Sequence, residues 1–159
     1  GTVTINGSIA PLIELGAGFD GDLTARENIF LNGAVLGYDQ KFMEKHFDEI
    51  VDFAELWDFL DMPIKNYSSG MAARLGFAIV RPDILICDEV LAVGDYAFQQ
   101  KCERRMSEMR KNGTTLLYVS HSIDSVKSVC DHALWLDKGV VRMSGDVETV
   151  GNAYMEALT

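Results

Sequence analysis

An unbroken apolar run that ends in two adjacent carboxylates constrains the fold of this chain more than any other feature. The run reads Ile84-Leu85-Ile86-Cys87 and is followed by Asp88 and Glu89. A continuous apolar run of this length is typical of a parallel strand that is buried on both faces. The carboxyl ends of such strands are where open α/β sheets bind their ligands. One carboxylate there suits a magnesium ion, and its neighbour can orient or deprotonate a water molecule.

A second feature, directly upstream of this run, predicts an anion-binding site. Ser68-Ser69-Gly70-Met71 leads into a helical pattern that includes Arg74 and Leu75. Small residues at the start of a helix leave backbone N–H groups uncovered, and the helix dipole adds partial positive charge there. Together, the two features predict that residues 67–95 bind and process a phosphate compound.

Four short motifs in a fixed order resemble those of ABC-transporter ATPases. The matching positions are the signature segment Ser68-Ser69-Gly70-Met71, the Walker B aspartate Asp88 with the catalytic glutamate Glu89, the D-loop aspartate Asp95, and the switch histidine His121. The segments Gly16-Ala17-Gly18-Phe19 and Val90-Leu91-Ala92-Val93-Gly94-Asp95 are most similar to the ATPase subunits that export O-antigen or teichoic acid. The resemblance covers nearly the whole chain.

This resemblance implies an α/β fold, namely a P-loop NTPase core of the ABC ATPase type. The core has a mostly parallel sheet, and a helical subdomain is inserted into it. We expect the core to comprise residues 1–21 and 81–159, and the helical subdomain with the signature segment to comprise residues 22–80.

The resemblance also implies ATP and Mg²⁺ as ligands and assigns a role to each matching residue. Asp88 would hold the magnesium ion through water, Glu89 would polarise the attacking water, and His121 would hold the γ-phosphate. The signature segment, Ser68–Met71, would face the nucleotide held by a second copy in a homodimer. Asp95 would couple the two sites across the dimer interface.

The expected partners and location follow from the resemblance and from the charge of the chain. ATPase subunits of this group act on a transmembrane permease, which implies a peripheral position on the cytoplasmic face of the bacterial inner membrane. No stretch of the sequence has the length and composition of a membrane span, so the permease would supply the membrane contact. The net charge of −10 argues against a nucleic-acid partner, which would favour a basic face.

The chain departs from the family pattern at three places. No G-x-x-x-x-G-K-[ST] motif occurs in it, and we expect this Walker A part to lie upstream of Gly1 in a longer protein. The usual Q-loop glutamine is missing, and Glu14 or Leu15 stands nearest to its place. The distance from Ser68 to Asp88 is about three residues shorter than in the family, which is nearly one helical turn.

Two alternative functions remain open at this point. These departures favour a non-catalytic interaction module derived from an ABC ATPase, whereas the intact Asp88, Glu89, Asp95 and His121 oppose it. A DNA-repair ATPase of the same dimeric design is the other alternative. The acidic balance and the lack of a coiled-coil insertion weaken it.

Local patterns predict several further elements. Asn6-Gly7 between two apolar segments predicts a β-hairpin, and Thr24 with Glu27 forms a capping box that predicts the start of a helix. Asp39 predicts the start of a second helix, and Pro63 predicts the end of the helical region. We expect a third helix after Ser68, a buried strand over residues 114–120, and a final hairpin and helix beyond it. The widely spaced Cys87, Cys102 and Cys130 are expected to be free thiols.

Overall fold

The computed structural model of the chain describes residues 1–12, 18–88 and 95–158, leaving aside the side chain of Leu12. Its strands are β1 (Ile9–Leu12), β2 (Ile84–Asp88), β3 (Thr115–Val119), β4 (His132–Asp137) and β5 (Val140–Asp146). Its helices are α1 (Ala25–Val35), α2 (Gln40–Ala54), α3 (Ser69–Ile79), α4 (Tyr96–Lys111), α5 (Ile123–Val129) and α6 (Val147–Leu158). Short 3₁₀ turns cover Trp57–Phe59 and Ile64–Asn66.

The central sheet is parallel, as predicted, with β2 between β1 and β3. Strands β4 and β5 form a separate antiparallel pair. On one face of β2, Leu85 and Cys87 are buried, whereas Ile84 and Ile86 on the other face are half-buried. The prediction that this strand is buried on both faces therefore holds for one face only, within the residues described.

Strand β3 forms where it was predicted, but the prediction that it is buried was wrong. The strand has β2 on one side in the described sheet, and alternate side chains along it face outward. Leu117 and Val119 are more than half exposed. An apolar composition predicts a strand, but it does not reveal which faces of that strand the rest of this chain covers.

The predicted hairpin at Asn6-Gly7 was wrong, because residues 1–8 form no strand and β1 instead pairs in parallel with β2. Ser8 donates hydrogen bonds from its backbone N–H (2.8 Å) and its hydroxyl (2.9 Å) to Oδ2 of Asp83. The backbone N–H of Ile84 then donates to the Ser8 carbonyl at 2.9 Å. These bonds lie at the start of both strands and fix the parallel register. The long-range contact, and not the local turn pattern, therefore determines how β1 pairs.

Two buried apolar clusters lie on either side of the short α3–β2 connection. The first joins the sheet to α4 and α5, and consists of Ala10, Phe77, Val80, Leu85, Cys87, Phe98, Cys102, Met106 and Val129. The second joins α1, α2 and α3, and consists of Ala25, Ile29, Met43, Ile50, Val51, Ala54, Leu56, Leu60, Ile64, Leu75, Ala78 and Ile79. Helix α3 contributes buried residues to both clusters, and Leu36 and Phe53 pack against both as well. The division into core and helical subdomain stays a prediction.

The predicted helix starts are confirmed by their caps. Thr24 and Glu27 form the capping box of α1, and Asp39 accepts the N–H of Phe42 at the start of α2. The predicted stop at Pro63 was wrong, since α2 already ends at Ala54 and the next residue, Glu55, is left-handed with φ 60°. Pro63 instead precedes the second 3₁₀ turn.

The connection between α3 and β2 is short and closed by an arginine. Helix α3 ends at Ile79, Val80 is extended, and β2 begins at Ile84. Arg81 folds back so that its guanidinium donates to the Ala78 carbonyl (2.8 Å) and to Glu49 (2.8 Å). Carbonyl groups of the last helical turn have no intrahelical partner, so this arginine satisfies one of them. The sequence shortfall was expected at this place.

The remaining elements follow the predictions. Helix α4 ends at Asn112-Gly113, where Gly113 has φ 100°, and β4 and β5 form the final hairpin before α6. Trp135 of β4 packs edge to face on Tyr154 of α6 at 5.7 Å between ring centroids. The three cysteines are free thiols, as predicted, and Cys87 and Cys102 are buried.

Candidate functional site

The signature segment forms the N-terminus of α3, as the sequence predicted. Ser68 is the N-cap, and its hydroxyl accepts the backbone N–H of Met71 at 3.1 Å. The N–H groups of the first helical residues have no intrahelical acceptor, so those of Ser69 and Gly70 remain for solvent or a ligand. Ser68 and Ser69 are exposed, whereas the Met71 side chain packs against the second apolar cluster, which joins α1, α2 and α3 and is called the helical cluster below. The ligand-accessible part of this segment is therefore Ser68–Gly70.

Gly70 occupies a position where the chain itself does not require a glycine. A Cβ atom built there would come no closer than 3.8 Å to another side chain, which is an ordinary contact with the Ser68 hydroxyl oxygen. Gly33 in α1 shows the opposite case, because a Cβ there would lie 2.5 Å from the sulfur of Met43. Space at Gly70 is thus open toward the outside, as expected where a helix N-terminus accepts an anion at close range.

Asp88 and the segment leading to His121 meet at the carboxyl edge of the parallel sheet. Asp88 is the last residue of β2, and its register partner in β3 is Val119. His121 follows two residues later, next to the N-cap of α5, and is exposed. Neighbouring strands in a sheet lie about 4.8 Å apart, so the structure brings these two predicted site residues to the same edge. This edge is where a parallel α/β sheet binds its ligand.

The donor set at this edge fits a magnesium ion. Asp88 is exposed, and within the described ranges no hydrogen bond or ion pair engages its carboxylate. Mg²⁺ keeps several water ligands and is usually held by one or two carboxylates together with substrate phosphates. No group of three His, Cys, Asp or Glu side chains that could cage a metal was found in the described part of the chain. A single carboxylate such as Asp88 therefore matches this mode of binding.

Two predicted site residues, Glu89 and Glu14, lie outside the described residues. The sequence places Glu89 directly after Asp88, and Glu14 two positions after the end of β1. Strand β1 is parallel to β2, so both described strands lead to the same edge of the sheet.

Asp95 is the N-cap of α4. Its Oδ1 atom accepts the N–H of Phe98 at 2.9 Å, and its Oδ2 atom lies 2.9 Å from the Arg74 guanidinium. The hydrogen bond from Phe98 and the charge of Arg74 lower the pKa of this carboxyl group below its usual value. Asp95 is therefore ionised at neutral pH and bound to α3.

The structure connects residues here that the sequence patterns did not identify as a site. Arg74 contacts Asp95 and also Glu55, and Lys101 contacts Glu55 as well. Sequence reasoning placed Arg74 only on a helical pattern, because its partners are 19 and 21 positions away. The spacing from Gly70 to Arg74 puts both on one face of α3, which is the one signal the sequence offered.

A cavity of about 390 Å³ lies away from this edge, between α1 and α2. Phe30, Ala34, Tyr38, Gln40 and Met43 line it. None of these residues is a predicted site residue. Leu31 and Val35, one position further along α1 than Phe30 and Ala34, are exposed.

No described helix combines the length and the apolar composition that a membrane crossing demands.

Comparison with known proteins gives consistent relatives. The chain is 46% identical over 161 aligned positions to an O-antigen export system ATP-binding protein of Klebsiella pneumoniae, covering 99% of this chain and 65% of that protein. It is 47% identical to an ABC transporter protein of Aeromonas salmonicida, covering 99% of this chain and 52% of that protein. It is 45% identical to a teichoic acids export ATP-binding protein of Bacillus anthracis, covering 99% of this chain and 29% of that protein. The chain therefore spans less than two thirds of the length of these relatives.

One alignment is longer than this chain. An O-antigen export system ATP-binding protein of Myxococcus xanthus is 44% identical over 162 positions that include 100% of this chain. Since the chain has 159 residues, at least three aligned positions have no counterpart in it (162 − 159).

Solved structures share the fold. The ATP-binding subunit of an ABC transporter has a TM-score of 0.81 at 20% identity, covering 93% of this chain and 62% of that chain. A dimeric ATP-binding cassette in a post-hydrolysis state, bound to ADP and Pi, has a TM-score of 0.71 at 20% identity, covering 88% of this chain and 63% of that chain. No protein-family model matches the chain.

Proposed function

Since this chain belongs to the ATP-binding proteins of ABC transporters, we propose that the protein carrying it hydrolyses ATP to drive the export of a cell-surface polysaccharide. The polymer would be of the O-antigen or teichoic acid type. The observation that carries this proposal is the 46% identity to an O-antigen export system ATP-binding protein across 99% of the chain.

The geometry supports hydrolysis at the carboxyl edge of the sheet. Glu89 follows Asp88 and is the residue we assign to the attacking water, which it orients and whose proton it accepts. His121 reaches the same edge from β3 and donates a hydrogen bond to the γ-phosphate. Positioning and charge stabilisation supply most of the catalysis in phosphoryl transfer, so the roles require these side chains to converge.

ATP and Mg²⁺ are the ligands that this edge fits. Asp88 would hold the magnesium ion through water, consistent with its exposed carboxylate and lack of a partner in the described residues. When bound, the ion neutralises charge that develops on the phosphate oxygens. Glu14 remains the candidate residue of the Q-loop region, because it follows the end of β1 in the sequence by two positions.

A homodimer supplies the signature segment in trans. Ser68, Ser69 and Gly70 lie at the exposed N-terminus of α3, and the open space at Gly70 faces outward. A second copy would present its nucleotide to this terminus. The dimeric, ADP-bound solved structure of the same fold supports this arrangement.

The partner that ATP hydrolysis drives would be a transmembrane permease. We propose that it docks on the helical cluster, where the 390 Å³ cavity between α1 and α2 lies beside the exposed Leu31 and Val35. Exposed apolar side chains beside a concave surface are typical of a protein interface. The protein would therefore sit peripherally on the cytoplasmic face of the inner membrane.

Complementation of a deletion strain tests the export function. A strain that lacks the complete gene should lose the polysaccharide from its surface and retain lipid-linked polymer inside the cell. The wild-type gene should restore surface polymer, and a gene carrying Glu89→Gln should not. Normal surface polymer in the deletion strain would contradict the proposal.

A further inference from the structure

One side chain of the signature helix contacts the residue that begins α4. Arg74 lies one turn after Gly70 in α3, and its Nη2 atom is 2.9 Å from Oδ2 of Asp95. The guanidinium also stacks on the Phe98 ring, 4.7 Å from its centroid. Only 20% of the Arg74 side chain is exposed. Partial burial and stacking restrict the guanidinium, whereas the Asp95 side chain is 65% exposed.

Asp95 uses its two carboxylate oxygens for two different elements. Oδ1 caps α4 through the N–H of Phe98, while Oδ2 is held by Arg74 of α3. The start of α4 and the second turn of α3 are therefore joined through a single side chain. A shift of one of these helix ends requires that the other follow or that the ion pair break.

Glu55 strengthens this junction from the end of α2. Its carboxylate contacts Arg74 (3.1 Å) and Lys101 of α4 (2.9 Å). Glu55 has φ 60°, a left-handed conformation in which helix ends usually place glycine. This left-handed residue ends α2 and places the Glu55 carboxylate within reach of both Arg74 and Lys101.

We propose that Arg74 is a positioning residue that couples the signature segment Ser68–Gly70 to Asp95. This inference rests on the proposed function, in which the signature segment faces the nucleotide of a second copy, and on the expected place of Asp95 at the dimer interface. Because Arg74 joins them, they move as one unit when two copies close on ATP. Closure at one nucleotide site is thereby communicated to the residue that faces the other.

Hydrogen–deuterium exchange of the complete protein tests the coupling without any need for turnover. The variant is Asp95→Asn, since asparagine remains a good N-cap for α4 but removes the charge that Arg74 binds. We expect the hydrogen-bonded amides of residues 71–74 in α3 to exchange roughly threefold faster, the factor expected for an ion pair of moderate strength. Unchanged exchange there would overturn the proposal, even for a protein that hydrolyses ATP normally.

ATP hydrolysis then separates positioning from mere stability. Arg74→Gln and Asp95→Asn should each reduce the Hill coefficient of turnover toward one, and the double variant should be no worse than either single variant. Arg26→Gln is the matched control, because Arg26 has an ion pair with Asp61 and a ring contact with Phe47 but lies outside the proposed site. The coupling would be contradicted if the double variant lost more cooperativity than either single variant, or if the control variant lost as much as they do. A wild-type protein without turnover would instead contradict the proposed function, and the exchange result would still decide the coupling.

Discussion

Asp88 and Val119 are register partners at the carboxyl ends of two adjacent parallel strands. The pairing brings Asp88 and the described residues that follow Val119 to the same edge of the sheet. Glu89 follows Asp88 by one position, and His121 follows Val119 by two. We propose that Glu89 orients the attacking water and that His121 binds the phosphate at this edge.

His121→Ala should reduce ATP turnover by about 100-fold, since one lost hydrogen-bond donor to a developing charge typically costs that much. His121 is exposed, so the melting temperature should change little. Steady-state turnover and thermal unfolding of the complete protein measure both effects. His132→Ala is the matched control, because His132 is an exposed histidine at the start of β4, away from the edge, and should keep full turnover.

Gly70→Ala should separate stability from function. Alanine in a helix is more stable than glycine by up to about 1 kcal/mol, and among the described residues the Cβ meets nothing closer than the Ser68 hydroxyl oxygen at 3.8 Å. ATP-driven dimerisation of a Glu89→Gln background should nevertheless weaken, because the methyl group occupies the space through which the helix N-terminus reaches the nucleotide. Denaturant unfolding and sedimentation velocity with ATP measure the two effects.

Gly33→Ala provides the contrast to Gly70→Ala. Its Cβ would overlap the buried Met43 side chain, so we expect a loss of about 1–3 kcal/mol in the free energy of unfolding. A loss of stability in Gly70→Ala would show that this glycine serves the fold. Intact dimerisation of the variant would show that Gly70 is not needed for close approach of a ligand.

The buried thiols should make the stability of the protein depend on alkaline pH. Burial raises the pKa of Cys87 to about 12 from an ordinary value of 9.0. Between these two values the unfolded chain loses the thiol proton while the folded chain keeps it, so the free energy of unfolding falls as the pH rises.

Cys87→Ala removes this titrating thiol and tests the sign of its effect on the free energy of unfolding. From pH 9 to pH 10, denaturant titrations should show a decline in unfolding free energy that is smaller by roughly 1 kcal/mol in the variant than in wild type. An equal decline in both proteins would contradict the predicted contribution of this thiol.

The sequence predicted those features whose signals are local. The caps Thr24 and Asp39 need only the neighbouring residues to work, and both form as expected. The parallel sheet was also predictable, because an apolar run that ends in carboxylates suits few other architectures. The hairpin at Asn6-Gly7 failed since Ser8 binds Asp83, which is 75 positions away.

The parts of the site that escaped prediction depend on distant contacts. Neither the ion pair of Arg74 with Asp95 nor the left-handed backbone of Glu55 leaves a local pattern in the sequence. The exposure of β3 was missed for a related reason, because composition does not reveal which face of a strand the rest of the chain covers. Such features depend on tertiary packing.

The most direct measurement of the central claim is Mg²⁺-dependent ATP turnover by the complete gene product, compared with its Glu89→Gln variant. We expect wild-type turnover to require Mg²⁺, and the variant to lose nearly all turnover while it binds ATP as tightly as wild type. Absence of turnover in the wild-type protein, or equal turnover in the variant, would contradict the assignment of this chain to an export ATPase that uses Glu89. In the first case, the non-catalytic interaction module would become the better account.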